Sequence, residues 1–108
     1  MFDILEYAGA DGKSVVKTWR DNLADDRAKA KITLRLERLA HGGFGDHHAV
    51  GEGVSELRID YGPGYRVYYG MVGKTVVLLL CGGDKRKQNA DIAKAIGYFK
   101  DYKKRKMS

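Results

Sequence analysis

Arg58, Arg66 and Tyr68 lie in two short runs, ELRIDY and YRVYYG, on either side of Gly62-Pro63-Gly64. Each run alternates apolar and polar residues, the period of a half-buried strand, and Gly-Pro-Gly between them signals a turn. Strand side chains alternate between faces. If Leu57, Ile59, Tyr65 and Val67 face a core, then Arg58, Asp60, Arg66 and Tyr68 face away from it together. One register that this parity allows sets Asp60 opposite Arg66 and Arg58 opposite Tyr68. Two guanidiniums on one face offer paired N–H donors that match phosphate oxygens, and Tyr68 offers a ring on which a base can stack. The plainer reading is a solvated Arg58–Asp60–Arg66 ion pair worth little energy. Lys85, Arg86 and Lys87 leave the end of the next strand, and the sequence leaves open whether they reach the same face.

The elements that position these residues follow from spacing. Phe2, Ile4 and Leu5 predict a first strand, broken at Asp11 and Gly12. Ser14 is a cap for a helix carrying Val15, Val16, Trp19 and Leu23 at helical spacing. Asp25 and Asp26 open a second helix, where negative charge suits the dipole. Its stripe is Ala28, Ile32, Leu36 and Leu39, and Arg27, Lys29, Lys31, Arg35 and Arg38 populate the flanks. Gly42 and Gly43 stop it. The segment HGGFGDHHAVGEGV is too glycine-rich for a helix and leads into the sheet; lacking a strand-turn-helix context, it is no dinucleotide loop. After the hairpin, Gly73-Lys74 turns the chain into TVVLLLCGG. That run is apolar on both faces and belongs inside a sheet covered on each side. A final helix from about Asn89 buries Ile92, Ile96 and Phe99 and ends in KKRK. The expected fold is one α+β domain over residues 1–108: a small antiparallel sheet of three to five strands, two N-terminal helices and a C-terminal helix.

The formal charge of +6 suits a polyanionic partner: RNA, DNA or an acidic protein. The lone Cys81 forbids an internal disulfide, fits a reducing compartment, and follows an apolar run that predicts a buried structural thiol. No apolar run approaches the roughly 20 residues of a membrane helix, and no basic region precedes the N-terminal apolar residues as in a signal peptide. A cytoplasmic location is expected. His41 falls at a helix end. His47 and His48 are adjacent and point to opposite sides of an extended chain, and no ligand spacing for a metal is present, so no metal or other cofactor is expected.

The motifs GFGD, GVSELRIDYGPGYRVYY and LLLCGGDK…Q..DI..A, in this order, resemble those of the RelE/ParE superfamily of toxins, closest to the HigB-like addiction module killer proteins. The resemblance covers nearly the whole chain. It implies a RelE-like fold and a type II toxin, typically a ribosome-dependent endoribonuclease acting on mRNA. A cognate antitoxin, usually a helix-turn-helix protein in this group, would neutralise it. By the same resemblance Arg66 matches a catalytic arginine, Lys85 a second catalytic cation, and Arg58 the ELRID motif. The family usually has a basic residue shortly after GFGD, where this chain has His48. Some relatives have a tyrosine in the final helix region, where this chain has Asp91 or Ile92. The ParE branch poisons DNA gyrase instead.

Metal-free RNA cleavage proceeds by attack of the 2′-hydroxyl on the adjacent phosphorus, leaving a 2′,3′-cyclic phosphate and a 5′-hydroxyl. Arg58 and Arg66 suit the developing negative charge. His48, with an ordinary imidazole pKa of about 6.5, suits proton transfer; Lys85 could share it if Arg86 and Lys87 lower its pKa. Tyr68, Arg86, Lys87, Lys31, Arg35, Lys103, Lys104 and Arg105 are the expected RNA contacts. The alternatives are a gyrase inhibitor and a non-catalytic nucleic-acid-binding module.

Overall fold

The computed structural model describes residues 1–107. Five strands run β1 (Asp3–Glu6), β2 (His47–Gly51), β3 (Val54–Ile59), β4 (Tyr65–Val72) and β5 (Val76–Asp84). Three helices run α1 (Val15–Asp21), α2 (Asp26–Ala40) and α3 (Gln88–Met107), and a 3-10 turn over Lys85–Lys87 precedes α3. Helix starts follow the capping residues. Ser14 accepts from Lys17 N, and Asp25 accepts from the backbone of Arg27 and Ala28.

The sheet order is β1-β5-β4-β3-β2. β2 to β5 form an antiparallel meander, but β1 pairs parallel with β5. The fold is therefore α+β on a mixed sheet, which corrects the all-antiparallel expectation. The connection from β1 to β5 runs through two helices and three strands, ample length for a parallel crossover. The glycine-rich segment contributes edge strand β2, bent by a register shift between Ala49 and Gly51.

In the hairpin the parity was legible and the register was not. Arg58 lies opposite Arg66 and Glu56 opposite Tyr68, two residues from the expected pairing. Pairing ends at Ile59 and Tyr65, so the loop takes in residues 60–64 and is wider than the expected register allows, a length that parity does not specify.

Both faces of the sheet are covered. Ile32, Leu36 and Leu39 of α2 and Val16 of α1 pack against Leu57, Ile59, Val67, Val77 and Leu79. On the other face Ala95 and Phe99 of α3 pack against Val54, Tyr68, Leu78 and Leu80. The alternation Val77/Leu79 against Leu78/Leu80 thus serves two cores, as the doubly apolar run predicts. The face expected to be solvated carries the second core instead, because the apolar stripe of α3 needs a partner surface. Cys81 is buried there, its thiol pushed up to about 12 by burial, which fits a structural role. Among the described residues, no helix is long and apolar enough to cross a membrane.

At the end of β5 the sheet is bare. Trp19 lies directly over Gly82 on one face and Asp91 over Gly83 on the other, so close that a Cβ at either glycine would collide.

Candidate active site

Glu56 organises the charged end of the α3 face. It is 1% exposed, and a buried carboxylate without partners would be costly. Three residues meet it. Arg58 Nε donates to Oε2 at 2.6 Å, Gln88 Nε2 donates to Oε1 at 2.9 Å, and Arg66 Nε lies 3.1 Å from Oε2. The last contact is an ion pair without hydrogen-bond alignment, since Arg66 Nε has no hydrogen-bond partner. The spacing explains the cluster. Glu56 and Arg58 are two apart on one strand and share a face, Arg66 is directly across, and Gln88 opens α3 above them. The hydrogen bond to Glu56 raises the Arg58 pKa, so its charge is fixed at every physiological pH.

Because both arginines use Nε on Glu56, the Nη donors of Arg58 have no hydrogen-bond partner among the described residues, and Arg66 spends only Nη1 on them, donating to Gly64 O at 3.3 Å. These ends face an open cleft of about 260 Å³, lined by Asp46, Arg58, Asp60, Gly64, Arg66 and Lys85. Lys85 is held there by its own backbone, which donates to Gly64 O at 2.9 Å. Three of the four expected catalytic residues therefore converge on one cleft. The fourth, His48, stands beside it. It lies opposite Glu56 on β2, and its Nε2 meets Asp46 Oδ1, a cleft residue, at 2.9 Å. Asp46 and Asp60 temper the positive charge at the rim. Such an arrangement can seat a phosphate against preorganised guanidinium donors, with an imidazole at hand for a proton.

Several expected RNA contacts are placed otherwise. Tyr68 is fully buried under α3, and burial, with Glu56 and Asp91 nearby, raises its hydroxyl pKa; its ring has no open face for a base. Arg35 is spent on structure: its guanidinium donates to the carbonyls of Arg58, Phe44 and Asp46. It thereby fixes the backbone of two cleft residues from α2. Arg86 is paired with Asp84 at 2.8 Å. At the C-terminus, Lys103 lies over the Phe99 ring at 4.2 Å, and Arg105 meets Asp101 at 2.7 Å and packs on Tyr7. These two side chains are tied to the fold, and Lys104 is exposed. All three sit about 25 Å along α3 from Gln88. Lys31 is the helix cation best placed for a substrate strand. It lines a groove that shares Ile59 and Asp60 with the cleft. Lys87 is exposed on the far side of the 3-10 turn.

The strand alternation puts Arg66 on a face read as pointing away from the core. It is 7% exposed and pairs with a buried carboxylate, so its loss also disturbs Glu56. The sequence reading passes over Glu56, Asp46 and Gln88 as site residues. The i, i+2 spacing of Glu56 to Arg58 and Asp46 to His48 was a usable signal. Gln88 offers none, because only the fold brings it to a residue 32 positions away. Among the described residues, no three His, Cys, Asp or Glu side chains gather as a metal site.

No protein-family model matches the chain. An uncharacterized protein of Haemophilus influenzae is 51% identical over 78 residues, which span 72% of this chain and 79% of that protein.

Proposed function

This chain belongs to the same family as that Haemophilus influenzae protein, and for it we propose the activity of a type II toxin: metal-independent, ribosome-dependent cleavage of mRNA. It acts in the cytoplasm and is neutralised by a cognate antitoxin, of helix-turn-helix type by the resemblance to the RelE/ParE superfamily. The observation that carries this reading is the convergence of Arg58, Arg66 and Lys85 on one open cleft. Fixed positive charge aimed where negative charge develops is often the largest contribution to such a reaction.

In the proposed reaction the scissile phosphate seats against the free Nη donors of Arg58 and Arg66. The 2′-oxygen bonds to phosphorus and the bond from phosphorus to the 5′-oxygen breaks. The 2′-oxygen gives up its proton and the 5′-oxygen gains one. His48, oriented by Asp46, is the group at the cleft suited to carry those protons; Lys85, with Arg86 taken up by Asp84 and Lys87 beyond the turn, adds fixed positive charge. Three cations on one cleft suit binding as well as cleavage of a nucleic acid; the imidazole of His48 at the cleft's edge, held by Asp46, is what favours the nuclease over a non-catalytic module.

A purified translation mixture tests the proposal. The protein is expected to cut mRNA only when ribosomes are present, leaving 5′-hydroxyl ends. Gyrase-dependent DNA breaks without RNA cleavage would replace this reading with gyrase inhibition. Binding without either product would leave a non-catalytic module.

A further inference from the structure

One side chain of α2 fastens the backbone beneath the cleft. β2 and β3 pair from His47 and Leu57 onward. Asp46 and Arg58, one rung further along, are joined by the backbone bond from Arg58 N to Asp46 O at 2.9 Å. Arg35 completes that rung. Its Nη1 donates to Arg58 O, and its Nη2 donates to Asp46 O at 3.3 Å and to Phe44 O at 3.2 Å. Asp46 and Arg58 both line the cleft, and Asp46 Oδ1 meets His48 Nε2 at 2.9 Å. A single guanidinium therefore ties the residue that orients the imidazole to a residue that offers Nη donors to a phosphate.

The fork and the loop fit each other. Nη1 and Nη2 reach carbonyls on two segments of chain at once, which the point charge of a lysine has no planar fork to do. Gly45 leaves the room: its φ is +60°, and a Cβ there would lie 2.9 Å from Arg35 Nη2. Phe44, against Phe2 and Tyr69, gives the loop an apolar anchor, but an anchor two residues away leaves the Asp46 carbonyl free to turn. Groups that react together must be held to within about 0.5 Å. We infer that Arg35 is a positioning residue: it sets the Asp46–His48 pair against Arg58 and makes no substrate contact of its own. Its consequence for rate rests on the nuclease reading. Arg35 also lines the α2 groove beside Lys31 and Arg38, so the competing role is one more cation for a bound strand. The two roles differ in whether a lysine can replace it.

Arg35→Lys keeps the charge and removes the fork. Single-turnover mRNA cleavage at saturating ribosome is expected to slow roughly tenfold, since small misplacements of reacting groups are costly, while ribosome affinity stays within about twofold of wild type. In a His48→Gln background the same substitution should cost nothing further, because the imidazole that Arg35 positions is gone. Gly45→Ala disturbs the fork from the loop side without altering any charge, and should slow cleavage likewise even where Arg35→Lys folds poorly. Wild-type rates in both variants, a loss of affinity in place of rate, or a full penalty in the His48→Gln background would each overturn the inference. A readout that needs no cleavage keeps this claim apart from the nuclease reading. The ring-nitrogen NMR signals of His48 report its contact with Asp46. Arg35→Lys should move them and leave in place those of His41, whose ring meets Glu37 O instead. A wild-type protein that cuts no RNA would sink the nuclease reading alone; unmoved His48 signals would sink the place given to Arg35.

Discussion

Glu56→Ala is expected to destabilise the protein by about 3–5 kcal/mol, the usual effect of removing one partner from a buried ion pair. Against a total of about 5–15 kcal/mol for a domain, this is a large fraction. Glu56 is 1% exposed and is the common partner of Arg58, Arg66 and Gln88. Its loss leaves the nearly buried Arg66 guanidinium without a counter-charge and unfastens the first residue of α3 from the sheet. Arg58 is more exposed and can turn to water, which moderates the effect. Urea unfolding measures it: the midpoint should fall with little change in slope. A midpoint within experimental error of wild type would mean that the cluster contributes nothing to folding. Glu56→Gln keeps the shape and one acceptor, so it should fall between the two.

The second large effect concerns rate. Arg66→Gln is expected to slow single-turnover mRNA cleavage by roughly a hundredfold at saturating ribosome, the typical loss when one preorganised transition-state donor is removed. Gln fills much of the same volume, and Glu56 keeps its hydrogen bonds from Arg58 and Gln88. The unfolding midpoint should therefore shift far less than for Glu56→Ala. Arg66→Ala confounds the two effects, because Arg66 is itself buried. Wild-type rates in a folded Arg66→Gln protein would remove Arg66 from the chemistry.

Much of the scaffold was legible because local rules decide it. The caps at Ser14 and Asp25, the α2 stripe and the doubly apolar β5 each follow from a few neighbouring residues. The parallel pairing of β1 was not legible, since it depends on where more than 60 intervening residues fold. The covering of the second sheet face escaped for a related reason. Tyr68 alternates with Val67 like a surface residue, and only the docking of Ala95 and Phe99 makes its side of the strand an interior. At the site, Arg58, Arg66 and Lys85 were visible as cations on adjoining strand ends. Their convergence was not, because it required the register that sets Arg58 opposite Arg66, together with the Gly64 carbonyl that holds Lys85. Glu56 looked like one more polar residue on a strand. Its burial comes from Gln88 and α3 arriving above it.

The central claim is that this cleft directs a 2′-hydroxyl onto the neighbouring phosphate without a metal. The most direct test is to map the cut in a ribosome-bound mRNA and then replace the single nucleotide on the 5′ side of the cut bond with its 2′-deoxy form. The account predicts that cleavage of that bond disappears, while the all-ribose message is cut and yields a 2′,3′-cyclic phosphate at the same position. Undiminished cleavage at the deoxy position, or a product with a 5′-phosphate, would contradict it.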